Sequence, residues 1–341
     1  MTKTNITHNA PIGKESWFGC GGAADLLFRP DDAAELSVFL QNWPLKEPLT
    51  MIGGLANTII RDGGLRGATV QLGKGFSDVV ILNAVKDLHE GRDPSALPQD
   101  DTYKNQYIQA GCAALNGSVS AAAMKAGIGG LEFLSGIPGT LGGAIRMNAG
   151  AYGAEVKDVL IGVNALDRGG RAVRLTVEDL KMSYRASQAP EDMIFISAIL
   201  RGTPEPYDTV KARMTAIKEK RNATQPIKEF TGGSTFANPA PEELRRAGLP
   251  EGTRAWQVVE MVGGRGLTIG GAQMSAQHCN FMINTGAATA ADLEMLGETL
   301  RTRARDQIGL TLHWEIKRVG SLPKRTFQVL LESCPDPLMA E

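Results

Sequence analysis

One stretch constrains this chain more than any other: Leu131 to Gly153, LEFLSGIPGTLGGAIRMNAGAYG. Six of its 23 residues are glycine, yet it lacks the polarity of a linker. Leu131, Phe133, Leu134, Ile137, Leu141, Ile145 and Met147 are threaded between the glycines, which describes irregular backbone that is packed. Gly136, Gly139, Gly142 and Gly143 can adopt φ > 0 and let a ligand approach the main chain with no Cβ in the way. Successive open N–H groups make a concavity that suits a pyrophosphate, and Pro138 stiffens the turn by fixing its own φ. A generic glycine-rich run is more often a set of tight turns. Length and apolar content favour a cofactor loop here.

The chain of 341 residues is long enough for two or three domains, each with its own core. Its 40 glycines exceed the usual share of about 7%, so many turns or close backbone–ligand approaches are expected. A net charge of −1 offers no field for nucleic acid or an anionic membrane. The start, MTKTNITHNAPIGKESW, has no apolar h-region, and no run approaches the roughly 18 residues of a membrane helix. Cys20, Cys112, Cys279 and Cys334 are far apart, and His8, His89, His278 and His313 lack ligand spacing. Neither a disulfide framework nor a metal site is expected, and a reducing cytosol fits.

Taken in order, the first organised unit is expected from Trp17, where FGCGGAADLLFRP reads as a glycine turn followed by a short apolar strand. Asp31 or Asp32 suits an N-cap before a helix carrying Leu36, Phe39 and Leu40. The strand LTMI, the turn Gly53–Asn57 and the strand ATVQL follow. This opening has a β-α-β look, but neither GxGxxG nor GxxxxGK[ST] occurs, so those two devices hold no nucleotide here. Residues 83–105 turn polar and read as an exposed excursion before the strand YIQAG. A helix over Asn116–Gly127 delivers the chain into the glycine-rich stretch. Next come a hairpin, VLIGVNAL-DRGG-RAVRLT, a loop with MSYRAS, and the strand MIFISAIL. Near Pro204–Pro206 the composition shifts, and PYDTVKARMTAIKEKR reads as a basic amphipathic helix. AWQVVEMVG reads as a short helix, GGAQMS and NFMIN as strands, and LHWEIKRVG as a closing strand. Thr289-x-x-Asp292 is a capping box opening a helix to Ile308, with Leu293, Leu296, Leu300 and Ala304 as its stripe.

Three polar sites stand out: Tyr184-Arg185, Gly233-Ser234 and Glu315. Singly each is ordinary. An arginine beside a tyrosine is usually a surface ion-pair partner, a serine after two glycines a turn residue, and a glutamate in an alternating strand a solvent-facing group. Their order and local wording change the reading. The blocks LEFLSGIPGTLGGAIRMNAGAYG, SYRAS, GGSTFANP, GGAQMSAQHCNFMINTGAATAADL and LHWEIKRVG resemble, in sequence and order, the UDP-N-acetylenolpyruvoylglucosamine reductase (UDP-N-acetylmuramate dehydrogenase) family. The resemblance covers roughly residues 16 to 320. The short run from Arg185 to Ser234 resembles the type II branch, which lacks an inserted tyrosine loop.

The resemblance implies an α+β fold of the vanillyl-alcohol-oxidase/PCMH type. An N-terminal extension (1–15) would precede an FAD-binding domain (16–203), with subdomains of about 16–72 and 73–203. A substrate domain (204–320) and a tail (321–341) would follow. It also implies an oxidoreductase, a bacterial flavoprotein that reduces UDP-N-acetylglucosamine enolpyruvate to UDP-N-acetylmuramate. The setting is cytoplasmic peptidoglycan synthesis, hence cell-wall biogenesis, cell shape and cell division. NADPH would be the reductant, with hydride passing from FAD N5 to C3 and a proton to C2. Arg185 matches the arginine that would hold the charge developing into the carboxylate. Glu315 would be protonated to stabilise an enolate-like oxygen, and Ser234 would give the proton. FAD contacts would come from Gly53, Gly54, Asn57, Gly136, Ile137, Pro138, Gly139, Thr140, Gly142, Gly143, Asn148, Ala149 and Gly150. Tyr184 and Asn238 match substrate-side positions. Lys220 and Arg221 would face the diphosphate or form a solvated helix face. No metal, nucleic acid or membrane partner is implied, and a monomer is favoured.

The sequence also departs from the family pattern. Gly53-Gly54-Leu55-Ala56-Asn57 stands where Gly-x-Gly-Ser-Asn is usual, Ala237 where lysine is common, and Gly19-Cys20 where Arg-Val is usual. Two other readings stay open: a flavin oxidase of a different substrate, and a non-catalytic nucleotide-sugar-binding relative. Retention of Arg185, Ser234 and Glu315 favours the reductase.

Overall fold

The computed structural model describes residues 5–82 and 106–322. The expected excursion at 83–105, and the expected tail from 323 onward, lie outside the described residues. The chain forms two compact units. The first contains Asn5, Ile6, Phe28–Gly54 and the described residues of Val70–Arg221. The second contains Thr7–Leu27, Leu55–Thr69 and the described residues from Asn222 to Leu322.

The first unit is built on an antiparallel sheet whose order is Ala172–Thr176, Leu160–Leu166, Ile194–Pro204, Gln106–Gly111 and Val79–Leu82. The expected hairpin is there, and Asp167 closes it. Its Oδ1 accepts from the main-chain N–H groups of Gly169 and Arg171, both at 2.9 Å, while Gly170 takes φ +76°. Helix Ala33–Asn42 starts where its cap residue predicts, with Asp32 accepting from Glu35 N at 2.8 Å. Helix Asn116–Lys125 buries Val119 and Ala123. These side chains join Ile108, Leu134, Leu141, Ile145, Val163 and Leu200 in one core. Each large aliphatic group buried there is worth about 1.5–3 kcal/mol.

The glycine-rich stretch is more regular than expected. It folds as a 3₁₀ turn at Glu132–Gly136 and a helix at Leu141–Arg146. Leu141, Ala144 and Ile145 are all buried at i, i+3, i+4 spacing, and this packing outweighs the poor helix propensity of Gly142 and Gly143.

In the second unit, Phe230–Thr231, Met282–Asn284, Ala272–Met274 and Thr268–Ile269 form a small antiparallel sheet in that order. Lys317–Val319 pairs in parallel with Thr58–Ile60. Helix Ala290–Ile308 lays Leu293, Leu296, Leu300 and Ala304 into a core shared with Phe18, Phe236, Val259, Met282 and Ile316. Its capping box forms, with Asp292 N donating to Thr289 Oγ1 at 3.1 Å. The Asp62 carboxylate adds a second cap, accepting from Ala290 N and Ala291 N at 3.1 and 3.0 Å.

Two expectations fail. Organised structure begins before Trp17, with the strand Ile6–Ala10 and a short helix Ile12–Glu15 whose Ile12 is fully buried. LHWEIKRVG is not a continuous strand: only Lys317–Val319 is, and Trp314 makes an isolated bridge to Phe236. Leu310, Leu312 and Ile316 are all buried. That is the two-residue alternation of a half-buried strand, but the segment changes partner partway: Glu315 N and His313 O bond to Thr235 O and Ala237 N, whereas Lys317–Val319 pairs with Thr58–Ile60. Among the described residues no helix is long and apolar enough to cross a membrane, and no cluster of His, Cys, Asp or Glu could hold a metal ion. Cys20, Cys112 and Cys279 are free buried thiols, and desolvation pushes Cys20 up to about 12.

Candidate active site

The first unit holds a cavity of about 430 Å³, within the range of small-molecule sites. The turn Gly53-Gly54 and the residues Thr140, Gly142 and Gly143 line it, so the two glycine turns face one space. A Cβ on Gly53 would stand 2.9 Å from Thr140 Oγ1, and one on Gly54 3.2 Å from Gly139 Cα. A side chain at either position would crowd that approach. The Gly142 N–H donates to Cys112 O and the Leu141 N–H to Ala114 O, both at 2.9 Å. Those two amides hold the scaffold and are not the open donors expected of an anion cradle. Met51, Ile52, Leu72 and Phe195 give the cavity apolar walls, and Arg29 and Lys74 add cationic groups. Apolar walls, close-approach glycines and cations fit a dinucleotide with a planar ring, as FAD has.

Arg146, which carries no motif of its own in the sequence, also lines the cavity. Its guanidinium donates to Ala189 O, Pro190 O and Met193 O at 3.1, 2.8 and 2.5 Å and lies 4.4 Å from the centre of the Phe195 ring. Burial lowers its pKa, but a guanidinium stays charged at any ordinary pH. It acts as a strut for 189–195.

Arg185 sits in a two-way turn in which Ser183 and Ala186 exchange main-chain hydrogen bonds of 3.0 and 3.2 Å. It takes φ +55°, costly for a residue with a Cβ, and its Nη2 donates to Gly150 O at 2.9 Å. Tyr184 is exposed, with the Arg185 guanidinium 5.1 Å from its ring centre. Asn148 is fully buried at φ +39°, and its amide is committed to the scaffold. Nδ2 donates to Glu155 Oε2 at 3.0 Å and Ser183 O at 2.9 Å, while Oδ1 accepts from Lys157 N at 3.0 Å. A cofactor contact from Asn148 would therefore not run through its side chain. The Lys157 ammonium, 2.7 Å from Glu155, is the main reason that carboxylate titrates below its usual range, with Asn148 and Arg185 adding to it. Lys220 and Arg221 lie near Tyr152, the Lys220 ammonium 5.8 Å from its ring centre, and burial lowers the pKa of Arg221.

The second unit brings Ser234 and Glu315 onto neighbouring segments. Glu315 N donates to Thr235 O at 2.8 Å, Ala237 N donates to His313 O at 2.9 Å, and the Phe236–Trp314 bridge lies between. Asn57 also belongs here: its Oδ1 accepts from Gly233 N at 2.9 Å. Asn238 Oδ1 accepts from Ala255 N at 3.1 Å and so caps the helix Ala255–Met261. Of the residues expected at the cofactor, Gly136, Ile137, Pro138, Gly139, Asn148, Ala149 and Gly150 do not line the cavity of the first unit. Gly136 instead backs onto Tyr152, whose ring a Cβ would strike.

This is the architecture of a flavin-binding protein, and a family model described as an FAD binding domain matches residues 24–176. A second, described as the C-terminal domain of UDP-N-acetylenolpyruvoylglucosamine reductase, matches residues 225–319. The chain belongs to the UDP-N-acetylenolpyruvoylglucosamine reductase family. It is 44% identical over 320 residues to the reductase of Parvibaculum lavamentivorans, covering 94% of this chain and 93% of that relative. It is 45% identical over 315 residues to that of Azorhizobium caulinodans, covering 92% of each. The crystal structure of the Thermus caldophilus UDP-N-acetylenolpyruvylglucosamine reductase superposes with a TM-score of 0.69 at 26% identity, over 92% of this chain and 98% of that one.

Proposed function

We propose that this protein uses FAD and NADPH to reduce UDP-N-acetylglucosamine enolpyruvate to UDP-N-acetylmuramate, acting as a cytoplasmic monomer in peptidoglycan precursor synthesis. The glycine turns at Gly53-Gly54 and Thr140–Gly143 would hold the cofactor, which when bound supplies hydride to C3 of the enolpyruvyl group. Negative charge then builds at C2 and spreads into the carboxylate. Arg185 is the group to hold it: its guanidinium is always charged and its forked donors match a carboxylate. Ser234 Oγ gives the proton to C2. Glu315, in its protonated form, donates a hydrogen bond to the enolate-like oxygen. Tyr184, Asn238, Lys220 and Arg221 are assigned to the sugar nucleotide.

The observation that carries this reading is the Glu315 N to Thr235 O bond of 2.8 Å. It sets the backbone of the proposed acid directly beside that of the proposed proton donor. The two half-reactions, observed anaerobically, supply the test. Ser234→Ala should let NADPH bleach the flavin at the normal rate, then stall when the enolpyruvyl sugar nucleotide is added. Normal flavin reoxidation in that variant would remove Ser234 from the mechanism.

A further inference from the structure

We propose that Trp314 and Glu298 are positioning residues that hold Glu315 against the Ser234 turn. The inference rests on the function proposed above, and it concerns residues that act through Glu315. Between Leu310 and Ile316 the chain has no continuous strand to fix it, only the short ladder to 235–237. A short ladder frays, so a group that must be placed to within a fraction of an ångström needs another anchor.

Trp314, the residue before Glu315, supplies that anchor. Its indole Nε1 donates to Glu298 Oε1 at 2.7 Å. The ring lies tilted on Phe236, with centroids 5.4 Å apart, and the Arg318 guanidinium stands 4.6 Å from its centre. Gly297 makes a notch for it in the helix Ala290–Ile308: a Cβ there would collide with Trp314 Cη2.

Glu298 is a fixed acceptor because it is buried, 3% exposed, and doubly paired. Arg301 Nη1 reaches its Oε2 at 2.6 Å, and Arg318 Nη1 its Oε1 at 3.1 Å. Arg301 Nε also donates to Leu312 O at 2.9 Å, so the same cluster grips the segment on both sides of His313. Charge-assisted bonds of this kind are short and directional, and a buried carboxylate that loses a donor is left costly to desolvate.

The Ser234 side of the ladder is held independently. Asn280 Oδ1 accepts from Phe236 N and its Nδ2 donates to Phe236 O, both at 2.9 Å, while Thr235 N donates to Asn280 O at 2.7 Å. Asn280 fixes one edge, and the indole on Glu298 fixes the other. A turn of the indole would carry the Glu315 carboxyl with it.

The experiment uses the full-length holoenzyme and measures each half-reaction by anaerobic rapid mixing. Trp314→Phe keeps a ring against Phe236 and removes the N–H donor. Flavin reduction by NADPH should stay within about twofold, while reoxidation by the enolpyruvyl sugar nucleotide slows about tenfold or more. In a Glu315→Gln background the same substitution should add no further loss, since it acts through that carboxyl. Unchanged reoxidation, equal slowing of both halves, or a fully additive loss would overturn the proposal. Should Trp314→Phe fail to fold, Glu298→Gln, which keeps an oxygen acceptor for the indole, should lose less reoxidation rate than Glu298→Ala. Equal losses there count against it. Ser234→Ala run alongside separates the two claims: normal reoxidation in that variant sinks the proposed function. A stall there with a normal Trp314→Phe sinks only the positioning role.

Discussion

Asn57 holds the main chain of Ser234. Its Oδ1 accepts from Gly233 N at 2.9 Å, its Nδ2 donates to Ser234 O at 3.4 Å, and its own carbonyl accepts from Lys317 N at 3.1 Å. The space is tight: a Cβ on Gly232 would stand 3.0 Å from Asn57 Oδ1, and one on Gly233 3.3 Å. A residue that family resemblance places in a phosphate turn is therefore also a support for the turn carrying the proposed proton donor. Asn57→Ala should lower the unfolding free energy by about 1–3 kcal/mol. Reoxidation of whatever flavin it retains should slow more than reduction does. A urea midpoint and half-reaction rates identical to the parent would strip the amide of this role.

Asn148 is the corresponding support for Arg185. Replacing it with alanine leaves Lys157 N and Ser183 O without the partners they have at 3.0 and 2.9 Å and empties the space of a fully buried side chain. The expected cost is roughly 2–4 kcal/mol. The turn that keeps Arg185 at φ +55° would relax toward ordinary backbone, so KM for the sugar nucleotide should rise while the NADPH half-reaction keeps its rate. Chemical denaturation together with steady-state kinetics measures both. Unchanged stability would mean that the three bonds carry no net weight.

Much of this was legible in the chain because the signals are local. Thr289 and Asp292 announce the longest helix, Asp32 caps another, and the DRGG turn marks its hairpin, each through residues within four positions of one another. The supports of the site were illegible for the opposite reason. Asn57 and Ser234 lie 177 positions apart, and Asn148 and Ser183 lie 35 apart. Arg146 sits inside a block notable for its glycines, but its three carbonyl partners, at 189, 190 and 193, belong to a loop with no pattern of its own. LHWEIKRVG misled because its alternation is that of a strand, and Leu312 and Ile316 do turn inward, but the pairing passes partway from the 235–237 segment to Thr58–Ile60, partners remote from each other in sequence.

Acid should loosen the same region through His278. Its Nδ1 accepts from Asn280 N at 3.2 Å, which requires the neutral ring at that nitrogen. Burial is the main reason its pKa falls below the ordinary 6.5, and the Arg265 guanidinium pushes it the same way. Trp256 and Phe281 face the ring edgewise at 6.5 and 4.8 Å and offer no counter-charge. The unfolded chain therefore binds the proton more readily than the fold does. The resulting stability is present in full above the unfolded value of about 6.5 and is lost as pH falls toward the depressed folded value. Unfolding free energy measured between about pH 7.5 and 5 should fall with pH, and His278→Gln should flatten that slope. An identical slope in the variant would assign the effect to other groups.

Leu55 looks like a defect and is predicted not to be one. It stands where the family pattern has glycine, and it takes the left-handed backbone that glycine would, at φ +50°. Its side chain is nonetheless 4% exposed, and its carbonyl accepts from Trp17 N at 3.2 Å. Restoring glycine would release roughly 1–2 kcal/mol of left-handed strain. Against that stands the loss of a buried leucine, about 2–5 kcal/mol in the usual large-to-small series, and roughly 0.5–1 kcal/mol of added chain entropy in the unfolded state. Burial wins on these magnitudes. Leu55→Gly should unfold at a lower urea concentration than the parent despite moving closer to the family pattern, and a higher midpoint would show that backbone strain at this turn outweighs the buried side chain.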